Sequence, residues 1–176
     1  EERPDYESGL ISELGRHVND GDKVVIVGGG YGVTTVRAAE LVGDGEVIVY
    51  EASQKSIKRI QDTLKINGVS DVVSVIHGVV GEAVNIWGEG AGDAMMVQPS
   101  DIPDCDVLEL DCEGAEDTIL SELQIKPRVI LVETHGSHDT PPSRVKTLLS
   151  ELSYEIKSIK IAAEDRREMC EENDIY

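Results

Sequence analysis

The residues able to do chemistry lie in short stretches, each placed directly after an apolar, β-branched run. They are Gly28-Gly29-Gly30-Tyr31-Gly32, Glu51-Ala52, His77-Gly78, Asp111-Cys112-Glu113-Gly114-Ala115-Glu116 and Glu133-Thr134-His135-Gly136-Ser137-His138-Asp139. Glycines after a strand let backbone N–H groups approach a ligand closely, and an acid ending the next strand can accept both hydroxyls of a ribose. Gly28, Gly30 and Gly32 together with Glu51 therefore suit a nucleoside, with Ala52 beside the ribose and Tyr31 over the ligand's tail. The same glycines also suit a tight strand-to-helix turn that binds nothing. His77 and Gly78 follow the third run, His77 either stacking on a ligand ring or serving the fold.

Asp111 and Glu113 end the fourth run, where a carboxylate can bind an amino group or hold an acceptor. Glu116 and Asp117 also suit the first turn of a helix, whose dipole favours acids. Glu133, His135 and His138 are candidate bases, because a carboxylate or imidazole within hydrogen-bond reach can take the proton of a hydroxyl. Both histidines also read as polar loop residues. With Glu133 and Asp139 they form a set of metal-type donors, but an H-x-x-H spacing on a loop is weak, and no metal is expected.

These stretches need elements to position them. Leu10, Ile11, Leu14 and Val18 recur at helical spacing, which predicts an amphipathic helix over 7–18. Compact apolar runs predict strands at 23–27, 46–50, 72–76, 107–110 and 128–133, with a short strand at 94–97. Helices are predicted at 34–41, 53–67, 82–87, 115–123 and 142–152, the third of them placing Trp87 in the core or in the wall of a base pocket. Residues 154–161 alternate polar and apolar, which predicts an edge or antiparallel strand. Strands alternating with helices give a mostly parallel sheet with helices on both faces, whose ligands bind beyond the carboxyl ends of the strands. The reading is a single α/β domain over 1–176: an N-terminal helix (1–20), a Rossmann-like core (21–162), and a tail (163–176) that opens a last strand at Ile175-Tyr176. The chain begins with Glu and is expected to start downstream of its true first residue.

Composition bounds the partners. The 176 residues carry 16 Lys+Arg against 35 Asp+Glu, a formal net charge of -19 that would repel nucleic acid and anionic membranes. No apolar run is long enough to span a bilayer and no leader precedes the first helix, so a cytoplasmic protein is expected. Excess acid, scarce lysine and few large aromatics are the composition of proteins that work in molar salt, where the Debye length falls to about 3 Å and self-repulsion is screened. A halophilic archaeal source is the corresponding expectation. Cys105, Cys112 and Cys170 show no paired spacing and read as reduced thiols.

Two motifs sharpen the reading. The dinucleotide fingerprint GxGxxG would place Gly or Ala at Val33, whereas Gly28, Gly30 and Gly32 follow GxGxG, which resembles the first motif of Rossmann-like S-adenosylmethionine-dependent methyltransferases. In those enzymes an acid usually lies two residues before the first glycine; here Ile26 stands there. The run from Asp106 through Asp111-Cys112-Glu113-Gly114-Ala115-Glu116 is similar to the D-x-x-K-I-D-V-E-G-A-E signature of the FkbM-type methyltransferases, with Glu109 in place of the lysine. Arg128 to His135 resembles that family's fifth strand, and Leu152 to Ile156 its entry to the last hairpin.

The resemblance, over about 20–160, implies a class I methyltransferase fold with strand order 3-2-1-4-5-7-6. It implies S-adenosylmethionine as cofactor and methyl transfer to a hydroxyl, often on a sugar or another small molecule. It also implies apolar and backbone contacts to adenine from Val79-Val80. On this reading Gly28, Gly30, Tyr31, Gly32, Glu51, Ala52, His77, Gly78, Asp111 and Glu113 line the cofactor site, and Asp111, Glu133 and His135 serve transfer. The expected partner is a small-molecule acceptor such as a sugar or glycoconjugate, with a homo-oligomer also allowed. An NAD(P)-dependent oxidoreductase, or a nucleoside-binding domain without catalysis, are the alternatives.

Overall fold

Five valine- and isoleucine-rich residues, Lys23–Val27, form the central strand β1. Such a run has no polar side, so it folds only where both faces are covered. A computed structural model describes residues 5–81, 92–136 and 140–176. The expected helix at 82–87 with Trp87, and the loop residues Ser137, His138 and Asp139, lie outside the described residues.

Beside β1 stand β2 (Glu46–Glu51), β3 (Val73–Val80), β4 (Met95–Val97), β5 (Val107–Leu110) and β6 (Val129–Val132). They form one six-stranded sheet in the order β4-β3-β2-β1-β5-β6, and every pairing is parallel. Helices α1 (Ser8–His17), α2 (Val33–Leu41) and α3 (Gln54–Asn67) cover one face, packing Leu14, Ala38, Val42, Ile60 and Leu64 on Val24, Ile26, Val47 and Val49. Helices α4 (Glu116–Glu122) and α5 (Pro142–Glu151) cover the other, packing Ile119, Leu120, Val145 and Leu148 on Val25, Val27, Leu108 and Leu110. Each such side chain contributes about 1.5–3 kcal/mol by burial. The boundaries of α3 show local sequence at work: the Ser53 hydroxyl accepts the Ser56 N–H at 3.3 Å, and Gly68 ends the helix in the left-handed region at φ 70. A short α6 (Arg167–Glu172) closes the chain.

The α/β, Rossmann-like architecture, a parallel sheet with helices on both faces, is thus as expected, with three differences. First, β3 runs on to Val80, so His77 and Gly78 lie inside the strand rather than after it. The extension exists because Gly78, Val79 and Val80 gain β4 as a partner, and a side chain at Gly78 would press on the Met95 carbonyl at 3.3 Å. Second, residues 154–161 form no strand, and the 7-6 hairpin is absent among the described residues. That segment is held by side chains instead: Ser158 Oγ donates to Glu13 at 3.0 Å, Lys160 to Ser12 at 2.7 Å, and Tyr154 OH to the Pro127 carbonyl at 2.6 Å. A cavity of about 350 Å³ separates it from the β6 edge. Third, the tail turns helical before Tyr176 reaches Thr134, whose N–H donates to the Tyr176 carbonyl at 3.0 Å.

At the amino ends of the strands Arg128 clamps Asp22 at 2.6 Å and the His17 carbonyl at 3.0 Å. The carboxyl ends are left for the site. The chain runs outward from β1 through β2 and β3, then returns to β5, so the topological switch lies between β1 and β5. Among the described residues no helix is long and apolar enough to cross a membrane.

Candidate active site

The glycine loop is built against its neighbours. Gly28 sits at φ 93, and a Cβ there would lie 1.7 Å from the Asp111 carbonyl oxygen, so the ends of β1 and β5 can meet only at a glycine. Gly29 has no room for a side chain either, being walled by Ile60 and Val49. Gly30, at φ 51, is different: its open side looks toward Tyr6 and Glu7, into the cleft. Packing therefore explains part of the glycine motif, and only part of it faces a ligand.

Glu51 ties this loop to β2. Its buried carboxylate accepts the N–H groups of Gly29 at 3.1 Å and Gly30 at 3.0 Å through Oε2, and that of Ser53 at 2.7 Å through Oε1. An ionised carboxylate has about four acceptor positions, two on each oxygen, so Oε2 is filled by Gly29 and Gly30 while Oε1 can still receive a hydroxyl donor. Tyr31 is 53% exposed at the rim, edge-on to Tyr6 and beneath Arg59. His77 Nε2 donates to the Ala52 carbonyl at 3.1 Å, which joins the ends of β2 and β3. That bond gives His77 and Ala52 a bracing role; Gly78 is buried in the ladder with β4.

The second half of the site surrounds His135, which is 4% exposed. Its Nδ1 lies 3.2 Å from Glu116 Oε1, while Nε2 faces Asp111 at 3.4 Å, Glu113 at 3.6 Å and Glu133 at 3.7 Å. Glu116 is fully buried and accepts the backbone N–H groups of Cys112 at 3.0 Å and Gly114 at 2.8 Å, so it shapes the turn that carries Glu113. Burial opposes its charge most strongly, but the His135 hydrogen bond, the His135 charge and the backbone N–H bonds together outweigh it and hold its pKa below the usual range. For His135 burial again opposes charge, and the Glu116 bond with the surrounding carboxylates raises its pKa. Burial and the negative charges of Glu133, Glu7 and Glu113 push Asp111 well up, and burial with Glu7 and Glu113 pushes Glu133 up to about 7 against the pull of His135. Donor atoms of Asp111, Glu133 and His135 all lie within 4.8 Å of one another, a set able to hold a cation.

Beneath them is Glu109, fully buried, with neither carboxylate oxygen hydrogen-bonded. Burial pushes its pKa up to about 8, the Thr34 hydroxyl only partly offsetting the cost. In the sheet Glu109 pairs with Ile26. The two departures noted in the sequence are therefore side by side: the strand that lacks the usual acid lies next to one that supplies an acid.

Asp111, Glu113, Glu133 and His135 are thus brought together, and Gly30, Tyr31 and Glu51 line the adjoining half. Sequence reasoning missed Tyr6 and Glu7, which precede α1 and reach the cleft, because nothing in a helix-start pattern marks a residue that covers a distant loop. Glu116 carried a signal in the E-G-A-E run that helix-dipole reasoning could not rank.

No family model matches the chain. A curated protein, the ribosomal protein L11 methyltransferase of Syntrophomonas wolfei, is 28% identical over 74 residues, which are 42% of this chain and 24% of that protein. The chain thus spans about a quarter of that relative's length. Among solved structures, precorrin-6Y C5,15-methyltransferase from Geobacter metallireducens superposes at a TM-score of 0.59 with 19% identity, covering 82% of this chain and 68% of that one. A SAM-dependent O-methyltransferase from Thermotoga maritima gives 0.59 with 18% identity over 86% of this chain and 52% of its own. A precorrin-8W decarboxylase from Methanobacterium thermoautotrophicum gives 0.59 with 23% identity, covering 84% and 70%. These likenesses establish the class I methyltransferase fold.

Proposed function

We propose that the chain is an S-adenosylmethionine-dependent methyltransferase acting on a hydroxyl of a small molecule, a sugar or glycoconjugate being the FkbM-type expectation. The observation that carries the reading is the pairing of two half-sites across the β1/β5 switch. One is a glycine loop bound to an acid at the end of β2; the other is a carboxylate-rich pocket containing unpartnered, buried Glu109 and Glu133 oxygens. The cofactor fits this cleft because it offers a diol, an ammonium and a sulfonium to a wall of acceptors.

On this reading Glu51 holds the ribose, the N–H face of Gly30 lies along the cofactor's tail, and Glu109 takes the ammonium in place of the acid that Ile26 lacks. The cofactor supplies an electrophilic methyl carbon for in-line displacement. The chain aligns the acceptor oxygen and removes its proton. Glu133, whose pKa is raised to about 7, is suited to that proton near neutral pH, and His135 positions it at 3.7 Å.

Replacing Glu51 by Ala removes one charged acceptor worth about 1.5–3 kcal/mol, so affinity for S-adenosylhomocysteine should fall about 10- to 100-fold. Full affinity in that variant would overturn the ribose assignment. A protein acceptor is the second reading, because the Syntrophomonas relative is named for a ribosomal protein. Transfer of labelled methyl to hydroxylated small molecules against ribosomal protein fractions separates the two.

The net charge of -19 supports function in molar salt. The melting temperature should rise as KCl goes from 0.1 M to 2 M, since screening relieves self-repulsion. A flat or falling midpoint would remove the halophilic reading.

A further inference from the structure

We propose that Asp111, Glu133 and His135 form a binding site for one divalent metal ion at the mouth of β5 and β6. The argument begins with the orientation of the imidazole. Both oxygens of Glu116 accept backbone N–H groups, from Cys112 and from Gly114. Glu116 is therefore an acceptor toward His135 as well, and Nδ1 at 3.2 Å is the donor. A histidine that donates one nitrogen to a buried carboxylate and turns the other toward further oxygen donors has the arrangement of a metal ligand with its orienting partner.

Spacing agrees. Nε2 stands 3.4 Å from Asp111 Oδ1 and 3.7 Å from Glu133 Oε1. Neighbouring ligands of one ion with bonds of about 2.1 Å are separated by about 3.0–3.5 Å. The carboxylates of Asp111 and Glu133, within 4.8 Å of each other, would close inward on the ion to complete the set. The site is also held rigidly: β5 carries Asp111, whose N–H donates to the Val27 carbonyl at 2.9 Å, and β6 carries Glu133, whose N–H donates to the Leu110 carbonyl at 2.9 Å.

Unpartnered carboxylate oxygens in and beside the set also point to a cation at this mouth. Glu109 lies two residues before Asp111 on the same strand, hence on the same face, and is fully buried with both oxygens unpartnered. The inner oxygen of Glu133, Oε2, is buried and unpartnered too. Two carboxylates and one imidazole suit a transition ion of intermediate hardness, such as Mn²⁺, Fe²⁺, Co²⁺ or Zn²⁺, better than Ca²⁺. Asp111 and Glu113 are partly exposed, so the ion would be reached from the cleft. There it would bind and acidify an acceptor oxygen, taking over from Glu133, which as a ligand would no longer serve as the base; this role, unlike the binding itself, rests on the methyltransferase reading.

The test is Mn²⁺ titration of the chelator-stripped protein in 1 M KCl, following the free-ion electron paramagnetic resonance signal. The expected result is one saturable, micromolar site that weakens at least 30-fold in each of Asp111→Asn, Glu133→Gln and His135→Gln. The surface variant Asp44→Asn should leave it unchanged. No saturable uptake, or uptake that the isosteric Asp111→Asn and Glu133→Gln variants leave intact, would overturn the site. S-adenosylhomocysteine binding is measured in EDTA on the same samples. Nucleoside binding without Mn²⁺ uptake removes the metal site alone. Mn²⁺ uptake without nucleoside binding supports the site while removing the methyltransferase reading.

Discussion

Gly28→Ala should unfold the mouth of the site, lowering stability by about 3–5 kcal/mol. Two costs combine. The position requires φ 93, where a side chain is strained, and the new Cβ would lie 1.7 Å from the Asp111 carbonyl oxygen, inside any contact distance. Neither atom is the end of a flexible group: β1 and β5 are locked by ladder pairing from Val24↔Val107 to Val27↔Leu110, so relief requires parting the central strands. At about 2–4 °C per kcal/mol for a chain of this size, the melting temperature should fall by about 6–20 °C. Gly68→Ala is the internal comparison, because φ is 70 there and nothing lies within 4 Å of the added Cβ. It should cost only about 1 kcal/mol. Equal effects in the two variants would mean that strain, and not the β1–β5 approach, decides the glycine at 28.

Glu109→Gln should do the opposite to stability and harm binding. In the folded chain Glu109 holds its proton up to about pH 8, against 4.5 when unperturbed. Between those values the folded state binds more protons than the unfolded one, so the wild type loses stability as pH rises through this window and stays flat above it. Glutamine has no charge to lose. The variant should match the wild type at pH 4.5 and exceed it progressively to pH 8.5, with a ceiling of about 5 kcal/mol. Melting curves in EDTA across that range test the sign. The same variant should bind S-adenosylhomocysteine more weakly, because a neutral amide replaces the ionisable carboxyl proposed to pair with the ammonium. A group that costs stability and adds affinity belongs to a site. A variant that melts lower than wild type at every pH would instead make Glu109 a structural residue.

The alternation of apolar runs and helical periods was enough to read β1, β2, β5, β6 and the helices around them, because a parallel sheet covered on both faces leaves that pattern in the chain. It could not show where β3 stops, since the extension from His77 to Val80 depends on β4, a partner separated in sequence. It also misjudged 154–161: alternation marks a segment with one buried side, but Ile156 and Ile159 stay exposed, and polar contacts of Ser158 and Lys160 to α1 hold the segment in place of pairing with β6.

Within the site, spacing located Glu51 and the Asp111–Glu116 turn. Their convergence on His135 depends on the neighbouring placement of β5 and β6, which local pattern does not contain. For the same reason the metal-type donors were weighed as an H-x-x-H loop, whereas the structure unites His135 with Asp111 from another strand end. Ile26 and Glu109 read in the sequence as two separate departures; sheet register places them side by side.

The most direct test of the central claim is calorimetric titration of the protein with S-adenosylhomocysteine in molar KCl, with NAD titrated in parallel. Micromolar binding of S-adenosylhomocysteine, with none for NAD, is the result predicted by a glycine loop joined to Glu51 and an acidic pocket behind it. Binding of NAD alone, or of neither ligand, would contradict the methyltransferase reading.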